Sequence, residues 1–367
     1  MTFFHCAIAV LGLWLAAGTA VAGDFTGSFV DPLDAPSTRS SLASSTQLLA
    51  VTRAGERLVA AGMRGHIVYS DDSGRTWSQA GVPVSVTLTA LSFPSPEQGW
   101  AVGHSGVVLH SVDGGVSWQR QSDGRSAARE FVAYYEERAV AGDETAASLA
   151  RDLPINWQEG PEQPWLGVWF GDEAEGFVVG AFGLIARTGD GGRTWLPWVD
   201  RVDNPGGLHL NAIERIGSTL YIPSERGVVF RMRQGENRFE AVQTDYTGSF
   251  FGLCGDERMV IAYGLRGTMF ASFDQGDTWA PLPPVIPVAL TSCTRETDGM
   301  LRLAAASGNI LSVTDDPAGP RTEVQPGASW PLAAVAIDAN GGLVAVGMRG
   351  VWRQPADDLI GQRAPGL

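Results

Sequence analysis

Lysine is absent from this chain of 367 residues, so arginine supplies the basic side chains, 26 in all, against 40 acidic ones. The formal net charge of −14 argues against nucleic acid as a partner and against peripheral binding to an anionic membrane surface. Only 18% of the residues are charged, whereas glycine occurs 46 times. This composition is typical of an all-β protein with many turns.

Long apolar runs are also absent beyond the first residues. The apolar stretch from Ala7 to Ala17 ends in Ala20-Val21-Ala22, which predicts a signal peptide over residues 1–22 and an exported mature chain that starts near Gly23. An uncleaved anchor is the alternative, but this apolar stretch is too short to span a bilayer comfortably. No later stretch approaches the length of a membrane helix.

One eight-residue pattern, Ser/Thr-x-Asp-x-Gly-x-Ser/Thr-Trp, occurs four times. The copies run over Ser70–Trp77, Ser111–Trp118, Thr188–Trp195 and Ser272–Trp279. The tryptophans are 41, 77 and 84 residues apart, which is close to one, two and two units of about 41 residues. Repeats of this length are typical of architectures with four strands per unit.

Each copy of this pattern, an Asp box, is expected to be a stabilising turn. Its Asp can accept hydrogen bonds from the backbone of its own turn, its Gly supplies the positive φ, and its Trp can pack between units. A metal role is disfavoured, since the alternating ligands and distal Glu of a calcium loop are absent. The residues concerned are Asp72, Trp77, Asp113, Trp118, Asp190, Trp195, Asp274 and Trp279.

Counting strand patterns instead of boxes gives seven units, because three units have lost the box. The sequence therefore predicts a seven-bladed β-propeller over residues 46–355, followed by a C-terminal tail over residues 356–367. The last unit has only three strand patterns. We expect an N-terminal arm, residues 23–45, to supply the missing strand from Thr26 to Val30 and so to close the ring.

One segment, about residues 121–164, breaks the period between blades 2 and 3. Ala127 to Glu137 and Glu144 to Leu153 are predicted to be helical, with Asp143 as an N-cap and Pro154 as the stop. Insertions on rigid scaffolds often carry function.

The insertion should share one face of the propeller with the turns between second and third strands. Four of these turns carry an arginine just before a glycine: Arg64, Arg226, Arg266 and Arg349. They predict a locally positive face, although arginine is also well tolerated in exposed turns. The loop that contains Arg201, Asn204 and His209 should lie on the same face, and His209 can equally be a packing residue.

Cys254 and Cys293 are the cysteines that remain after the predicted signal peptide, which contains Cys6. In an oxidising compartment they could form a disulfide between neighbouring blades. Two unpaired, buried thiols are the alternative, and the sequence leaves both open.

The unit from Gly99 to Gly115 resembles the repeat of the photosystem II stability and assembly factor family. This resemblance implies an exported, non-catalytic, chaperone-like propeller without a cofactor, located in the periplasm or on the thylakoid-lumen side. It also implies a protein client, an integral membrane subunit, bound through an Arg-rich patch, for which the four turn arginines are the candidates. The helical insertion departs from the plant and cyanobacterial pattern and looks like a bacterial branch of the family.

A sialidase-like glycoside hydrolase is the main alternative, because such enzymes also carry Asp boxes. That activity needs an arginine cluster, a carboxylic acid and a tyrosine nucleophile supported by a glutamate. Tyr69, Tyr221 and Tyr263 fall within predicted strands, and Tyr134 and Tyr135 fall on the insertion. A ligand-binding central channel is a third alternative, which no dinucleotide, haem or metal motif supports.

Overall fold

The computed structural model describes residues 29–158, 160–315 and 319–360. The compact unit that begins at Asp31 is built from seven antiparallel sheets, in which each strand pairs with its neighbours along the chain. Six sheets have four strands, and the seventh has three within the described residues. The predicted seven-bladed β-propeller is confirmed.

The strands follow the blades in chain order. Blade 1 contains β1 (Leu48–Ala54), β2 (Arg57–Gly62), β3 (Ile67–Ser70) and β4 (Ser78–Gln79); blade 2 contains β5 (Leu88–Ser92), β6 (Gly99–Gly103), β7 (Val108–Ser111) and β8 (Gln119–Ser122). Blade 3 contains β9 (Trp165–Phe170), β10 (Gly176–Gly180), β11 (Ile185–Thr188) and β12 (Leu196–Pro197); blade 4 contains β13 (Glu214–Ile216), β14 (Thr219–Pro223), β15 (Val228–Arg233) and β16 (Glu240–Gln243). Blade 5 contains β17 (Phe250–Gly255), β18 (Val260–Gly264), β19 (Met269–Ser272) and β20 (Ala280–Leu282). Blade 6 contains β21 (Leu290–Arg295), β22 (Leu301–Ala305), β23 (Ile310–Thr314) and β24 (Arg321–Gln325); blade 7 contains β25 (Leu332–Ile337), β26 (Leu343–Gly347) and β27 (Gly350–Gln354).

The second strand of each blade forms much of the core. All five residues of β6, β10, β18 and β26 are buried, as expected for a strand covered on both faces. Several of these strands end in glycine because the first strand of the blade passes close by. A Cβ on Gly62 would overlap the carbonyl oxygen of Gln47.

The blades adhere through apolar clusters that lie between neighbours. Trp118 of blade 2 packs with Val59 and Ile67 of blade 1, and Trp195 of blade 3 packs with Trp100 of blade 2. A further cluster joins blade 7 to blade 1 and includes Leu58 and Val344. Burial of such residues is the main favourable term in folding.

The insertion consists of α1 (Gly124–Val140), α2 (Glu144–Asp152) and a 3₁₀ segment, Leu153–Trp157. Helix α1 starts three residues before the predicted Ala127, because the Asp123 side chain accepts hydrogen bonds from the backbone N–H groups of Arg125 and Ser126. Asp143 caps α2 by accepting from the N–H of Ala146 at 3.0 Å. Helix α2 ends at Asp152, one residue before the predicted Leu153, so the α-helix stops ahead of Pro154 as predicted, and the chain continues as the 3₁₀ segment. Pro154 lies in the first turn of the 3₁₀ segment, where no N–H is needed.

Two predictions concern the start of the chain. The signal peptide, residues 1–22, lies outside the described residues, as do Thr26 to Ser28 of the expected closing strand. Both stay predictions. A short helix, α3 (Ala356–Ile360), follows the last strand, and no helix in the described ranges is both long enough and apolar enough to cross a bilayer.

Candidate partner-binding face

The turns between second and third strands lie beside the starts of the first strands, on one face of the propeller. In six of the seven blades, all but blade 4, the first turn residue donates its N–H to the carbonyl oxygen of the residue before the first strand. Met63 donates to Gln47 at 3.1 Å, Leu265 to Ser249 at 3.2 Å and Met348 to Pro331 at 3.1 Å. We call this the turn face.

Several turns on the turn face hold a residue other than glycine in the left-handed backbone region. The φ angles are 58° at Arg64, 56° at Arg226 and 56° at Arg266. Ser105 and Phe182 occupy the same position in blades 2 and 3, with φ of 56° and 55°. This conformation costs roughly 1–2 kcal/mol for a residue with a Cβ, so glycine or asparagine would occupy these positions with less strain.

The four turn arginines, Arg64, Arg226, Arg266 and Arg349, are exposed. None of them forms an ion pair with a carboxylate of the described residues, whereas arginines such as Arg57 and Arg125 do. In a chain with net charge −14, unpaired arginines gathered on one face leave positive charge available to a partner.

Apolar side chains accompany these arginines, a feature that the sequence interpretation missed. Met63, Leu265 and Met348, each directly before a turn arginine, are 40%, 39% and 56% exposed, and Phe182 is 52% exposed. The repeated pair of Met or Leu with Arg before Gly is the signal that could have revealed them. Methionine, aromatic residues and arginine are enriched in protein interfaces.

The loop with Arg201, Asn204 and His209 is held by its own contacts. The Asn204 amide donates to the Leu208 carbonyl and accepts from the Leu208 N–H, both at 2.9 Å. His209 Nδ1 accepts from the N–H of Phe182 at 2.9 Å, and its ring lies edge-on to Phe182. The Arg201 guanidinium stacks 4.1 Å from the centre of the Trp198 ring. These contacts give Asn204 and His209 positioning roles in the loop.

The insertion meets the turn face through blade 2. Gly124 at the start of α1 packs against the turn at Gly106, and the ring N–H of Trp165, the first residue of β9 after the insertion, donates to the Gly106 carbonyl at 3.0 Å. Phe131 and Tyr135 of α1 are buried, and the Tyr135 hydroxyl donates to Asp200 at 2.8 Å. The helices are therefore firmly attached next to Phe182 and the loop around Asn204.

Two cavities lie among the first strands, which line the central channel. One of about 290 Å³ opens near Phe251, Ala333 and Met348 on the turn face. The other, of about 350 Å³, is lined by Glu214 and by residues of β1, β21 and β25. Glu214 is accessible to water from the channel, but the protein that surrounds it displaces enough solvent to raise its pKa to about 7.

Tyr263 lies close to Glu214, so it bears on the glycosidase alternative. Burial raises the pKa of the Tyr263 hydroxyl, and the charge of Glu214 raises it further. A nucleophile needs the opposite shift. Within the described residues, no group of three or more His, Cys, Asp or Glu side chains is arranged to hold a metal ion.

The Asp boxes occupy the opposite face, between third and fourth strands. Asp72 accepts from the Thr76 N–H at 2.9 Å, the Thr76 hydroxyl at 2.6 Å and the Ser70 hydroxyl at 2.8 Å. These bonds, led by that of the Thr76 hydroxyl, lower the pKa of Asp72 to about 2. Asp113, Asp190 and Asp274 make the same set of hydrogen bonds. Both oxygens of each carboxylate are thus engaged by the turn itself.

Cys254 of β17 and Cys293 of β21 form a disulfide with a Cα–Cα distance of 6.1 Å. The two strands are the first strands of blades 5 and 6, so the bond links neighbouring blades near the channel. Of the two arrangements that the sequence allows, the structure contains the bridged one.

Comparison with known proteins identifies relatives of this architecture. The family model described as photosynthesis system II assembly factor YCF48 matches residues 69–146. The photosystem II assembly protein Ycf48 of Synechococcus sp. (strain JA-3-3Ab) is 27% identical over 273 residues, which cover 65% of this chain and 76% of that protein. A photosystem II assembly lipoprotein Ycf48 of Synechococcus sp. (strain CC9902) is 24% identical, over 65% of this chain and 62% of that protein.

Solved structures show the same fold. A structure of YCF48 bound to a D1 peptide matches with a TM-score of 0.62 and 16% identity, covering 86% of this chain and 95% of that one. YCF48 from Cyanidioschyzon merolae matches with a TM-score of 0.60 and 15% identity, covering 88% and 99%. The resemblance indicated by the repeats is therefore confirmed: this seven-bladed propeller is similar to the Ycf48 family of photosystem II assembly factors.

Proposed function

We propose that this chain is an exported, non-catalytic scaffold that binds a protein client, an integral membrane protein or complex, through the turn face. The observation that carries the proposal is the set of four exposed turn arginines without ion pairs, three of them in a backbone conformation that disfavours side chains. The turn requires this backbone conformation but not a side chain on it, so strain that glycine would relieve is a reason to look for a function of the arginines.

The composition of the turn face supports a protein client. Met63, Leu265 and Met348 offer apolar contact beside charged groups that can pair with carboxylates of a partner. The relatives are named as assembly proteins, one of them as a lipoprotein, and one related structure contains a D1 peptide. A membrane client and an exported location are the corresponding expectations for this chain.

The test is charge reversal on the turn face. Replacing Arg64, Arg226, Arg266 and Arg349 together with Glu should leave the circular dichroism spectrum unchanged and abolish crosslinked capture of the client from the native envelope fraction. Direct binding of a D1 peptide, measured by calorimetry, tests whether the client matches that of the related protein.

A matched control is available on the opposite face. Arg75 and Arg193 are exposed, and neither forms an ion pair with the described residues. The Arg75→Glu/Arg193→Glu variant changes the net charge as much as Arg64→Glu/Arg266→Glu but should retain client capture. Equal loss in both double variants would show a general charge effect, and survival of capture in the quadruple variant would contradict the proposal.

A gentler form of the same test uses glycine. Arg64→Gly/Arg266→Gly relieves the left-handed strain and should therefore be as stable as the wild type or more stable, by up to about 1 kcal/mol per site. Client binding should nevertheless weaken. Unchanged binding would mean that the side chains at these positions are dispensable.

A further inference from the structure

A cavity of about 790 Å³ lies on the turn face beside blade 1, between the described arm and the first turn. Its lining includes Arg39 and Arg64, the buried His66 and the hydroxyl groups of Thr38, Ser40 and Thr46. All of its lining residues belong to the described part of the chain, and none is acidic, although the chain has 40 acidic residues and only 26 arginines. The cavity therefore combines positive charge with hydrogen-bond donors.

The positive charges of the two arginines in this cavity are not neutralised by an ion pair with a described carboxylate. Arg39 donates to the Gln79 carbonyl oxygen, and Arg64 extends from the exposed turn. Neither forms an ion pair with a described carboxylate. Guanidinium groups in this state are suited to carboxylate and phosphate oxygens, which they can bind with two parallel hydrogen bonds.

His66 is an exception to the blade pattern. It directly follows the turn glycine, a position that holds the buried apolar residues Val107, Leu184 and Val228 in blades 2, 3 and 4. His66 is just as deeply buried, at 5% exposure. Blades 5 and 6 also carry polar residues at this position, Thr268 and Asn309, but both are less buried than His66, which lies beneath the cavity.

Hydrogen-bond acceptors around His66 can accept from both ring N–H groups of a protonated imidazole, but burial outweighs them and lowers the pKa of the ring. Thr46 donates its hydroxyl proton to the Ala43 carbonyl at 2.8 Å, so its oxygen accepts from His66 Nδ1, 3.1 Å away. The ring also hydrogen-bonds to the Thr38 backbone, and this bond raises its pKa. Burial, the largest influence, lowers the pKa of His66, and the charge of Arg64 lowers it further.

We propose that this cavity is a binding site for a small molecule that bears a carboxylate or phosphate group. Arg39 and Arg64 supply two charges, and His66 takes up a proton when the anion binds. The charged groups that line the cavity with His66 are Arg39 from the arm and Arg64 from its own turn, while the segment around Ser85 contributes a hydroxyl. The volume lies in the range of small-molecule sites, about 300–1,000 Å³. The site requires no client protein and so extends beyond the proposed function.

Inorganic phosphate and succinate are suitable probes for the purified full chain, with sodium chloride at equal ionic strength as the reference. Calorimetry should detect binding that tightens between about pH 8 and about pH 5.5, because the anion stabilises the protonated imidazole of His66. Stronger binding of phosphate than of succinate would identify a phosphate ligand, and the reverse would identify a carboxylate. No binding of either probe beyond the chloride reference would overturn the proposal.

Variants separate this site from client capture. Arg39→Gln, outside the set of four turn arginines, should weaken probe binding about tenfold and leave client capture unchanged, since a hydrogen bond to a charged group contributes about 1.5–3 kcal/mol. His66→Val, the residue of blade 2, should remove the pH dependence. If that variant does not fold, NMR titration of His66 in the wild type, with and without phosphate, tests the same point. Under the proposal, phosphate must raise the pKa of His66. Arg75→Gln on the opposite face is the control, and an effect there equal to that of Arg39→Gln would refute the assignment.

Discussion

At the scale of single residues, Glu214 shows how the channel changes a side chain that the sequence marks as ordinary. It is the first residue of β13, and its carboxylate is accessible to water from the channel, with no hydrogen bond to a described residue. Protein surrounds it closely enough to raise its pKa from 4.5 to about 7. Between about pH 4.5 and about pH 7, Glu214 therefore keeps a proton in the folded state that it releases in the unfolded state.

Replacing Glu214 with Gln should stabilise the protein at alkaline pH. A raised carboxyl pKa means that the folded state loses stability as the pH rises from about 4.5 to about 7, and the penalty is constant above that range. We expect a gain of roughly 1 kcal/mol at pH 8, less than the full shift would give, because channel water screens the charge. Thermal unfolding across pH measures this gain.

The exposed Glu56 provides the control for this pH dependence. The Glu56→Gln variant should show the wild-type pH profile. An advantage of Glu214→Gln that is equally large below pH 4.5 would show that packing, not ionisation, causes the change.

At the scale of the elements, each Asp box is held both from within and by the preceding blade. Arg57 of blade 1 donates to the Gly114 carbonyl in the box of blade 2, and Gln121 of blade 2 donates to the Gly191 carbonyl in the box of blade 3. Arg231 of blade 4 reaches the Gln275 carbonyl of blade 5 in the same way. The box thus fastens neighbouring blades as well as its own turn.

The disulfide links blades 5 and 6. Blade 6 has no Asp box, so blade 5 cannot contact it in the way described for the other blades. Blade 6 has instead a buried Arg302, which pairs with Glu296 at 2.5 Å. A covalent bond between β17 and β21 secures the junction of two blades at the channel.

Replacement of both cysteines by Ala should lower the free energy of unfolding by about 2–4 kcal/mol, because the unfolded chain loses a crosslink between residues that are 39 apart. Urea denaturation of the wild type and of the variant measures the difference. Reductant should shift the wild type towards the variant and leave the variant itself unchanged. A wild-type midpoint that does not respond to complete reduction would contradict this expectation.

At the scale of the whole molecule, the junction between blades 7 and 1 closes the ring. Arg353 of β27 donates to the Ser73 carbonyl at 2.7 Å, and the Asn340 amide donates to the Ser73 hydroxyl at 2.7 Å. At the closure, blade 7 thus contacts the Asp box of blade 1 in the same way as other blades contact the box of the blade that follows them. They accompany the apolar cluster around Leu58 and Val344.

Substituting Arg353 with Ala should destabilise the ring by about 1–2 kcal/mol, the typical effect of removing a hydrogen-bonding charged group. Blades 7 and 1 are held together by non-covalent contacts and not by a direct chain connection. We therefore expect limited proteolysis to cut blade 7 first in the variant. Arg57→Ala, at the covalently continuous junction of blades 1 and 2, is the matched comparison. Equal proteolysis of blade 7 in both variants would argue against a special role for the closure.

The sequence by itself determined the repeat, the seven blades and the turn positions of Arg64, Arg226, Arg266 and Arg349, because these depend on local patterns. Strand alternation, Asp-Gly turns and the Trp period are all short-range properties of the chain. They also sufficed to indicate the similarity to the Ycf48 proteins.

Tertiary structure alone decided what happens between distant residues. The bond between Cys254 and Cys293, the cavity around His66 and the environment of Glu214 arise where separate segments converge, and no local pattern encodes such distances. The extra turn at the start of α1 and the 3₁₀ segment that contains Pro154 depend on a cap and on packing against the blades. A chain pattern specifies which elements form, whereas packing specifies which side chains meet.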